Sequence, residues 1–312
     1  MSQSAAKSVL ITGANSGLGK DLARQLALRD DFGTVYLACR NPAKARAAAQ
    51  ELVAVTGRSI FRVLNMDMRD LDSVRRAVPA IEAPVDAVVM NAGGTGGPHP
   101  MALTAHGVTE IFAANVLGHA VLLEELLVAG ALAEVAVLTG SEAARGVPKL
   151  RIPRPTFTSG SVDEFASVID GSFFGDDKPN VRLAYGQVKY LGALWMAALA
   201  RRHPRFRFIT MSPGNTAGTQ ALRDLPLPLR VLAQRVLMPY VAPALGVAHK
   251  LEDGAKRLLM AVANPALHSG VFYASKVTAL TGPVVDQAEI IPELRDPVRQ
   301  DHAGHAIHRF LA

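Results

Sequence analysis

The feature that most constrains this chain is an alternation of short apolar segments with longer segments of helical periodicity, which runs through most of the sequence. The apolar segments predict strands at 8–12, 34–39, 60–65, 85–90, 135–139, 206–211 and 270–274. Strands that are apolar throughout are buried on both faces, as in parallel sheets. Alternation with helices implies right-handed crossovers between such strands. We therefore expect an α/β fold with a doubly wound, Rossmann-type parallel sheet.

Two segments interrupt the alternation. Residues 142–181 are rich in Gly, Pro and Ser, and residues 214–246 form an apolar segment bounded by prolines. Long irregular segments in a compact domain are usually lids or binding loops. No internal repeat or low-complexity linker divides the chain. The sequence thus predicts one domain over residues 1–312, with an insertion at 142–181 and a substrate-side lid at 214–246.

Composition limits the functional classes. The net charge is +6, but the basic residues are scattered, which favours a small anionic ligand over nucleic acid. A single cysteine, Cys39, excludes an intrachain disulfide and fits a reducing compartment. The chain starts with a polar segment and contains no uninterrupted run of about 18 apolar residues. We expect a cytoplasmic protein without an integral membrane span, and the histidines form no cluster that predicts a metal site.

A glycine-rich turn joins the first predicted strand to the first helix. Glycines there permit a tight turn and let the backbone approach a pyrophosphate at the helix N-terminus. The free N–H groups and the helix dipole favour negative charge at that point. The position of the turn, directly after an apolar strand, predicts a dinucleotide site. Its candidate contacts are Gly13, Asn15, Ser16, Gly17, Leu18 and Gly19.

Residues after the second, third and fourth strands predict which nucleotide binds. Arg40 follows the second strand, where NAD-binding folds carry an acidic residue for the ribose 2′-hydroxyl. A guanidinium can instead pair with a 2′-phosphate, so we favour NADP(H) over NAD(H). A carboxylate after the third strand can accept from the adenine amino group, and small residues after the fourth can pass beneath the ribose. These further contacts are Asp67, Met68, Asn91, Ala92 and Gly93.

Four more polar residues complete a pattern. With Asn115, Ser141, Tyr185 and Lys189 added, the ordered set resembles the short-chain dehydrogenase/reductase family. The 44 positions between Ser141 and Tyr185 resemble the branch with protochlorophyllide reductases and retinol dehydrogenase-like enzymes. The protochlorophyllide enzymes carry a cysteine beyond the Tyr/Lys helix, and the only cysteine of this chain lies instead at the cofactor strand.

The resemblance implies a catalytic set. Tyr185 and Lys189 are four residues apart on a helix and therefore share a face. The phenol pKa, near 10, is too high for a base at neutral pH, and a nearby ammonium and an oxidised nicotinamide favour the phenolate. Similarity to the family implies that Tyr185 is the acid/base, that Ser141 orients substrate, and that the Asn115 backbone holds a relay water. Tyr185 and Lys189 would also contact the nucleotide.

The resemblance also assigns the nicotinamide end of the site and the assembly. Pro213, Gly214 and Thr216 follow the sixth strand and match the nicotinamide-side turn, with Thr219 as an alternative hydroxyl. Family members pair through the fourth helix and the Tyr/Lys helix, which implies a homodimer or tetramer.

The predicted partner is a small-molecule substrate. The apolar run at 225–245 indicates either a packed helical lid or a mouth for a bulky apolar substrate that also touches a membrane surface. The phenylalanines of the insertion, Phe157, Phe165, Phe173 and Phe174, are expected to border the substrate site. The main hypothesis is hydride transfer between NADP(H) and a carbonyl or alcohol. Reduction of a carbon–carbon double bond and non-catalytic NADP(H) sensing are the alternatives.

Overall fold

A computed structural model describes residues 6–175, 177–216, 249–277 and 280–311. These residues form one eight-stranded sheet in the order β3-β2-β1-β4-β5-β6-β7-β8. Strands β1 to β7 pair in parallel, and β8 is antiparallel to β7. The strands are β1 (Lys7–Thr12), β2 (Phe32–Cys39), β3 (Phe61–Asn65), β4 (Val85–Met90), β5 (Leu132–Thr139), β6 (Arg207–Met211), β7 (Phe272–Ser275) and β8 (Val284–Asp286).

Helices cover both faces of this sheet. They are α1 (Gly17–Ala27), α2 (Pro42–Thr56), α3 (Leu71–Ala77), α4 (Glu110–Val128), α5 (Val162–Asp170), α6 (Val181–Arg202), α7 (Leu251–Ala263) and α8 (Pro297–His308). Consecutive strand residues point to opposite faces. In β1, Val9 and Ile11 join the core under α1, α2 and α7, whereas Leu10 joins the core under α3, α4 and α6. The expected doubly wound α/β sheet is confirmed.

The predicted strands agree with the observed ones to within a few residues. Strand β4 coincides with the prediction, and β2 and β5 begin two and three residues earlier than predicted. The short β8 was not predicted. The insertion 142–181 is not irregular throughout, because α5 lies inside it. Most of the predicted lid, residues 217–246, lies outside the described residues.

The C-terminal helix α8 packs across the back of the catalytic helix. Its Ala303, Ala306 and Ile307 are buried in the same core as α5 and α6. Arg201 of α6 donates to the Gln300 side chain at 2.8 Å. His308 of α8 lies 4.0 Å from the Glu124 carboxylate of α4. Helix α8 therefore covers part of α6, one of the two helices through which the family resemblance implied subunit pairing.

Helix α4 is the central helix on one side of the sheet. It is long and apolar enough to cross a membrane, with a mean hydropathy of 1.7, but 72% of that window is buried inside the protein. Residues Ala113–Leu117 form a single π-helical turn within it. A π turn in an α-helix often marks a functional site, and this one contains Asn115.

Candidate active site

The N-terminus of α1 forms the predicted pyrophosphate cradle. Ser16 is its N-cap residue, but the Ser16 side chain makes no capping hydrogen bond. The first turn contains no acidic residue. Gly17 has φ +56°, and a Cβ on it would meet no atom within 4 Å among the described residues. A Cβ on Gly19, in contrast, would come within 2.6 Å of the Asn91 side chain. One glycine therefore leaves space for a ligand and the other permits close packing, which fits a dinucleotide.

Thr12, at the end of β1, organises the floor of this cradle. Its hydroxyl accepts backbone N–H groups of Asn91 and Ala92, both at 2.9 Å. The Asn91 side chain donates back to the Thr12 carbonyl at 2.9 Å. At the other end of the loop, the amide nitrogen of Asn115 donates to the Gly94 carbonyl at 2.7 Å. The predicted residues Asn91 to Gly93 thus lie in a loop that is fixed at both ends.

The other loops of the nucleotide end carry the residues predicted to select and bind adenosine. Arg40 is exposed after β2, and among the described residues no ion pair holds its guanidinium. Asp67 uses one carboxylate oxygen to accept the backbone N–H of Arg69 at 3.1 Å, so it also shapes its own turn. The backbone of Met68 lies against Gly118 of α4, whose Cβ would come within 2.8 Å of the Met68 Cα. Helix α4 therefore supports this loop directly.

The hydroxyls of Ser141 and Tyr185 meet beyond the end of β5. Ser141 caps a short 3-10 helix and accepts the N–H of Ala143 at 3.2 Å. Its side chain also lies beside the Tyr185 hydroxyl, and this interaction lowers the pKa of the phenol. Burial has the larger effect and raises the pKa of Tyr185 above its usual value, and the carboxylate of Glu142 raises it further. The phenol is therefore held in its protonated form.

Lys189 lies in the same wall as the phenol. Its ammonium donates to the Thr139 carbonyl at 2.8 Å and lies 5.7 Å from the centre of the Tyr185 ring. Burial lowers the pKa of Lys189 to about 8. The expectation that an ammonium and an oxidised nicotinamide together lower the phenol pKa stays a prediction, and in this structure the pKa of Tyr185 is raised. The reason is that desolvation of the ring dominates.

Asn115 is buried in the π turn of α4. Its amide nitrogen also donates to the Ile111 carbonyl at 2.7 Å, and its amide oxygen accepts the N–H of Gly94 at 3.1 Å. Its backbone carbonyl lies 3.0 Å from the Nδ1 atom of His119. The carbonyl that was assigned a relay water therefore already contacts one protein group.

The turn after β6 completes the site. The backbone N–H of Gly214 donates to the Ser212 hydroxyl at 3.0 Å, and Pro213 is buried. Thr216 is buried, and its hydroxyl donates within the turn to the Gly214 carbonyl at 3.0 Å. A Cβ on Gly254, at the start of α7, would come within 2.9 Å of the side chains of both Thr216 and Leu18. The start of α7 therefore packs against both the glycine-rich turn and the turn after β6, the two ends of the proposed nucleotide site.

A buried ionic group beside the site was missed from the sequence. Glu142 accepts the Ser212 hydroxyl at 2.6 Å and the backbone N–H of Ser275 at 3.1 Å. Arg257 of α7 lies 3.8 Å from the Glu142 carboxylate and donates to the Ser275 hydroxyl at 2.9 Å. The group therefore ties together the carboxyl ends of β5, β6 and β7. Its signal in the sequence was an acidic residue directly after Ser141.

The phenylalanines of the insertion form part of the core. Phe165 is fully buried, and the Phe157 ring stacks on Tyr190 at 5.2 Å. Phe173 packs edge-on against Phe174 and Phe157. These contacts fasten the insertion to α6, the helix that carries Tyr185 and Lys189. The described residues contain no group of three or more His, Cys, Asp or Glu side chains that could hold a metal ion.

Several known proteins are similar to this chain in sequence and in fold. The family model for short chain dehydrogenase matches residues 7–144. Protochlorophyllide reductase of Avena sativa is 32% identical over 289 residues, which cover 85% of this chain and 88% of that protein. Retinol dehydrogenase 12 of Bos taurus is 34% identical over 202 residues, which cover 63% of this chain and 56% of that protein. The chain thus spans little more than half of the bovine relative.

A solved structure agrees at the level of the fold. The short-chain type dehydrogenase/reductase from Mycobacterium ulcerans superposes with a TM-score of 0.60 at 21% identity, covering 94% of this chain and 97% of that one. The match to the oat enzyme covers most of both sequences. The chain therefore belongs to the short-chain dehydrogenase/reductase family of oxidoreductases.

Proposed function

We propose that the protein is a cytoplasmic, NADP(H)-dependent oxidoreductase that interconverts a bulky, apolar carbonyl compound and its alcohol. The observation that supports this most directly is the position of the Ser141 and Tyr185 hydroxyls beside each other and beside the buried amine of Lys189. A hydroxyl pair of this kind can bind one substrate oxygen and deliver a proton to it. The nicotinamide nucleotide, when bound, supplies or accepts the hydride.

The residues of the site divide the remaining work. Ser141 donates a hydrogen bond to the substrate oxygen and orients it. Tyr185, kept protonated by its burial, gives its proton to that oxygen as negative charge develops there. Lys189 stabilises the resulting phenolate, and its own pKa of about 8 lets it return a proton near neutral pH.

Replacement of the phenol tests the catalytic assignment. Tyr185→Phe removes the proton donor and leaves the ring packing in place, so carbonyl reduction is expected to fall by at least about a thousandfold. NADPH affinity, measured by quenching or energy transfer of nucleotide fluorescence, is expected to change little. Retention of more than a tenth of the activity contradicts the role of Tyr185.

Arg40 supports the choice of the phosphorylated nucleotide. Its exposed guanidinium follows β2 and is not engaged by another described residue, so it is available to a 2′-phosphate. Arg40→Asp removes this charge and introduces a carboxylate that repels the phosphate and can bind a 2′-hydroxyl. The ratio of kcat/KM for NADPH over NADH is expected to fall by about a hundredfold or more. Lys44→Glu, at an exposed position on the adjoining helix, makes the same change of two charge units and serves as a charge-matched control.

A second candidate is reduction of a carbon–carbon double bond. The similarity to protochlorophyllide reductase over 85% of this chain favours it. In that reaction Tyr185 protonates carbon instead of oxygen. Product analysis with a conjugated enone separates the two activities, because the first yields an allylic alcohol and the second a saturated ketone.

The apolar nature of the substrate is supported by the sequence at 225–245, which carries Leu, Val, Met and Pro without an acidic residue. A panel of ketones with increasing apolar area tests this part of the proposal. The KM is expected to fall as apolar area increases, and a preference for small polar ketones contradicts it.

A further inference from the structure

His119 lies on α4 and makes two side-chain contacts to which the family resemblance assigned no role. Its ring is 1% exposed and lies one helical turn after Asn115. Its Nε2 atom lies 2.9 Å from the Thr12 hydroxyl, and its Nδ1 atom lies 3.0 Å from the Asn115 carbonyl oxygen. Both ring nitrogens are therefore used, one toward the nucleotide loop and one toward the π turn.

These partners determine the tautomer. A carbonyl oxygen can only accept, so Nδ1 carries the proton and donates it to Asn115. Nε2 must then accept the proton of the Thr12 hydroxyl. That hydroxyl in turn accepts the backbone N–H groups of Asn91 and Ala92. The result is one directional series of hydrogen bonds from the loop after β4, through Thr12 and His119, to Asn115.

The same arrangement persists at every pH of practical interest. Burial lowers the pKa of His119 to about 4, a value that includes the raising effect of the hydrogen bond to the Asn115 backbone and the lowering effect of the Lys189 ammonium. The other polar groups facing the ring are Thr12 and the Asn115 backbone, which do not titrate. His119 therefore stays neutral, and it cannot serve as a proton donor to the reaction without losing its contacts.

We propose that His119 is a positioning residue, which binds Thr12 and the Asn115 carbonyl together and thereby holds the nucleotide loop and the π turn in a fixed relation. The loop Asn91–Gly94 is attached to Thr12 at its start and to the Asn115 side chain at its end. His119 joins these two attachment points. The part of this inference that concerns Asn115 and catalysis rests on the proposed function. The part that concerns Thr12 and the nucleotide loop, its nucleotide half, concerns NADPH binding alone.

Two variants separate the two contacts. His119→Asn places an amide N–H close to the position of Nδ1 and retains a donor for Asn115, but it loses Thr12. His119→Gln places an amide oxygen close to the position of Nε2 and retains an acceptor for Thr12, but it loses Asn115. Because each loss removes one buried hydrogen bond, we expect an effect of about tenfold. The Asn variant should weaken NADPH binding more than kcat, and the Gln variant should do the opposite.

A third variant, at the partner residue Thr12, keeps the inference testable if the substitutions at position 119 fail to fold. Thr12→Val keeps the branched shape and removes the hydroxyl, which also accepts the N–H groups of Asn91 and Ala92, so it should weaken NADPH binding at least as much as His119→Asn. The double variant that combines Thr12→Val with His119→Asn should bind NADPH no more weakly than Thr12→Val alone. Thr12→Ser, which retains the hydroxyl, should recover most of the affinity.

The measurements distinguish failure of the inference from failure of the proposed function. NADPH titration with each folded variant, verified by its melting temperature, requires no substrate and tests the Thr12 contact alone. Equal losses of affinity and kcat in the Asn and Gln variants, or additive losses in the double variant, overturn the inference. If wild-type protein binds NADPH but reduces no carbonyl or enone, the proposed function fails while the nucleotide half is still tested.

Discussion

At the scale of single residues, the charge beside the phenol matters as much as the phenol itself. Glu142 is buried, follows Ser141 directly, and raises the pKa of Tyr185. The acid form of Tyr185 is thereby favoured, which suits proton delivery during reduction. An uncharged residue of the same shape at position 142 should therefore change the pH range of the reaction.

Glu142→Gln is expected to lower the pKa of Tyr185. In the reductive direction, activity declines as pH rises through that pKa, so the decline should begin at lower pH in the variant. In the oxidative direction, which needs the phenolate, activity should instead rise at lower pH. Profiles of kcat/KM against pH in both directions test this, with Ser212→Ala as a control that changes the same network and keeps the charge. Shifts toward higher pH in the Gln variant contradict the assignment.

Residues of the site differ in how far the sequence could predict them. Ser141, Tyr185 and Lys189 stand out because their types and spacing suit a reaction, and the structure brings them together. Arg257 is more than 100 positions from Glu142, so their pairing depends on how β5 and α7 are placed. His119 could have been noticed as a polar residue four positions after Asn115 in an apolar helix, but its partner Thr12 is distant in sequence.

At the scale of elements, the packing of α4 against the loop after β3 has almost no free space. A Cβ on Gly118 would overlap the Met68 carbonyl, which is backbone and cannot rotate away. Gly118→Ala should therefore push the Met68 loop from its position. We expect a loss of about 1–3 kcal/mol in the free energy of unfolding together with weaker nucleotide binding.

Chemical denaturation and NADPH titration check this prediction. Gly304→Ala is a suitable control, since Gly304 also lies in a helix and the nearest atom to its Cβ would be 3.6 Å away. Alanine has the higher helix propensity, so this control should be neutral or stabilised by up to about 1 kcal/mol. Equal behaviour of the two variants contradicts the packing argument.

Two elements show why sequence patterns were incomplete at this scale. Strand β8 has three half-buried residues and pairs only with β7, so it lacks the long apolar run that identified the other strands. Helix α5 did carry a local signal. Ser161 caps its N-terminus by accepting the N–H of Glu164, and the Glu164 carboxylate accepts backbone N–H groups before the helix. The Ser161 and Glu164 spacing is that of a capping box, although the Glu164 carboxylate binds N–H groups before the N-cap residue, and the pattern was hidden within a stretch whose composition indicated a loop.

At the scale of the whole molecule, the place of α8 leads us to expect a monomer in solution. Helix α8 covers part of α6, one of the two helices that the resemblance would use for pairing, and it is fastened by Arg201–Asp301 and Arg309–Asp163 ion pairs, each at 2.7 Å. Light scattering after size-exclusion chromatography should give a mass near the 33.1 kDa of one chain. A mass of twice that value, unchanged on dilution, contradicts this expectation and would assign the pairing to another surface.

The place of α8 also has a consequence for biosynthesis. Ribosomes deliver the catalytic helix more than a hundred residues before the helix that covers its back, so the nascent protein carries an uncovered aliphatic stripe during the interval. Translation that stops early would leave this stripe exposed to chaperones and proteases. The native packing of α6 should therefore form only after α8 has left the ribosome, and products terminated before α8 should be cleared rather than accumulate as partly active enzyme.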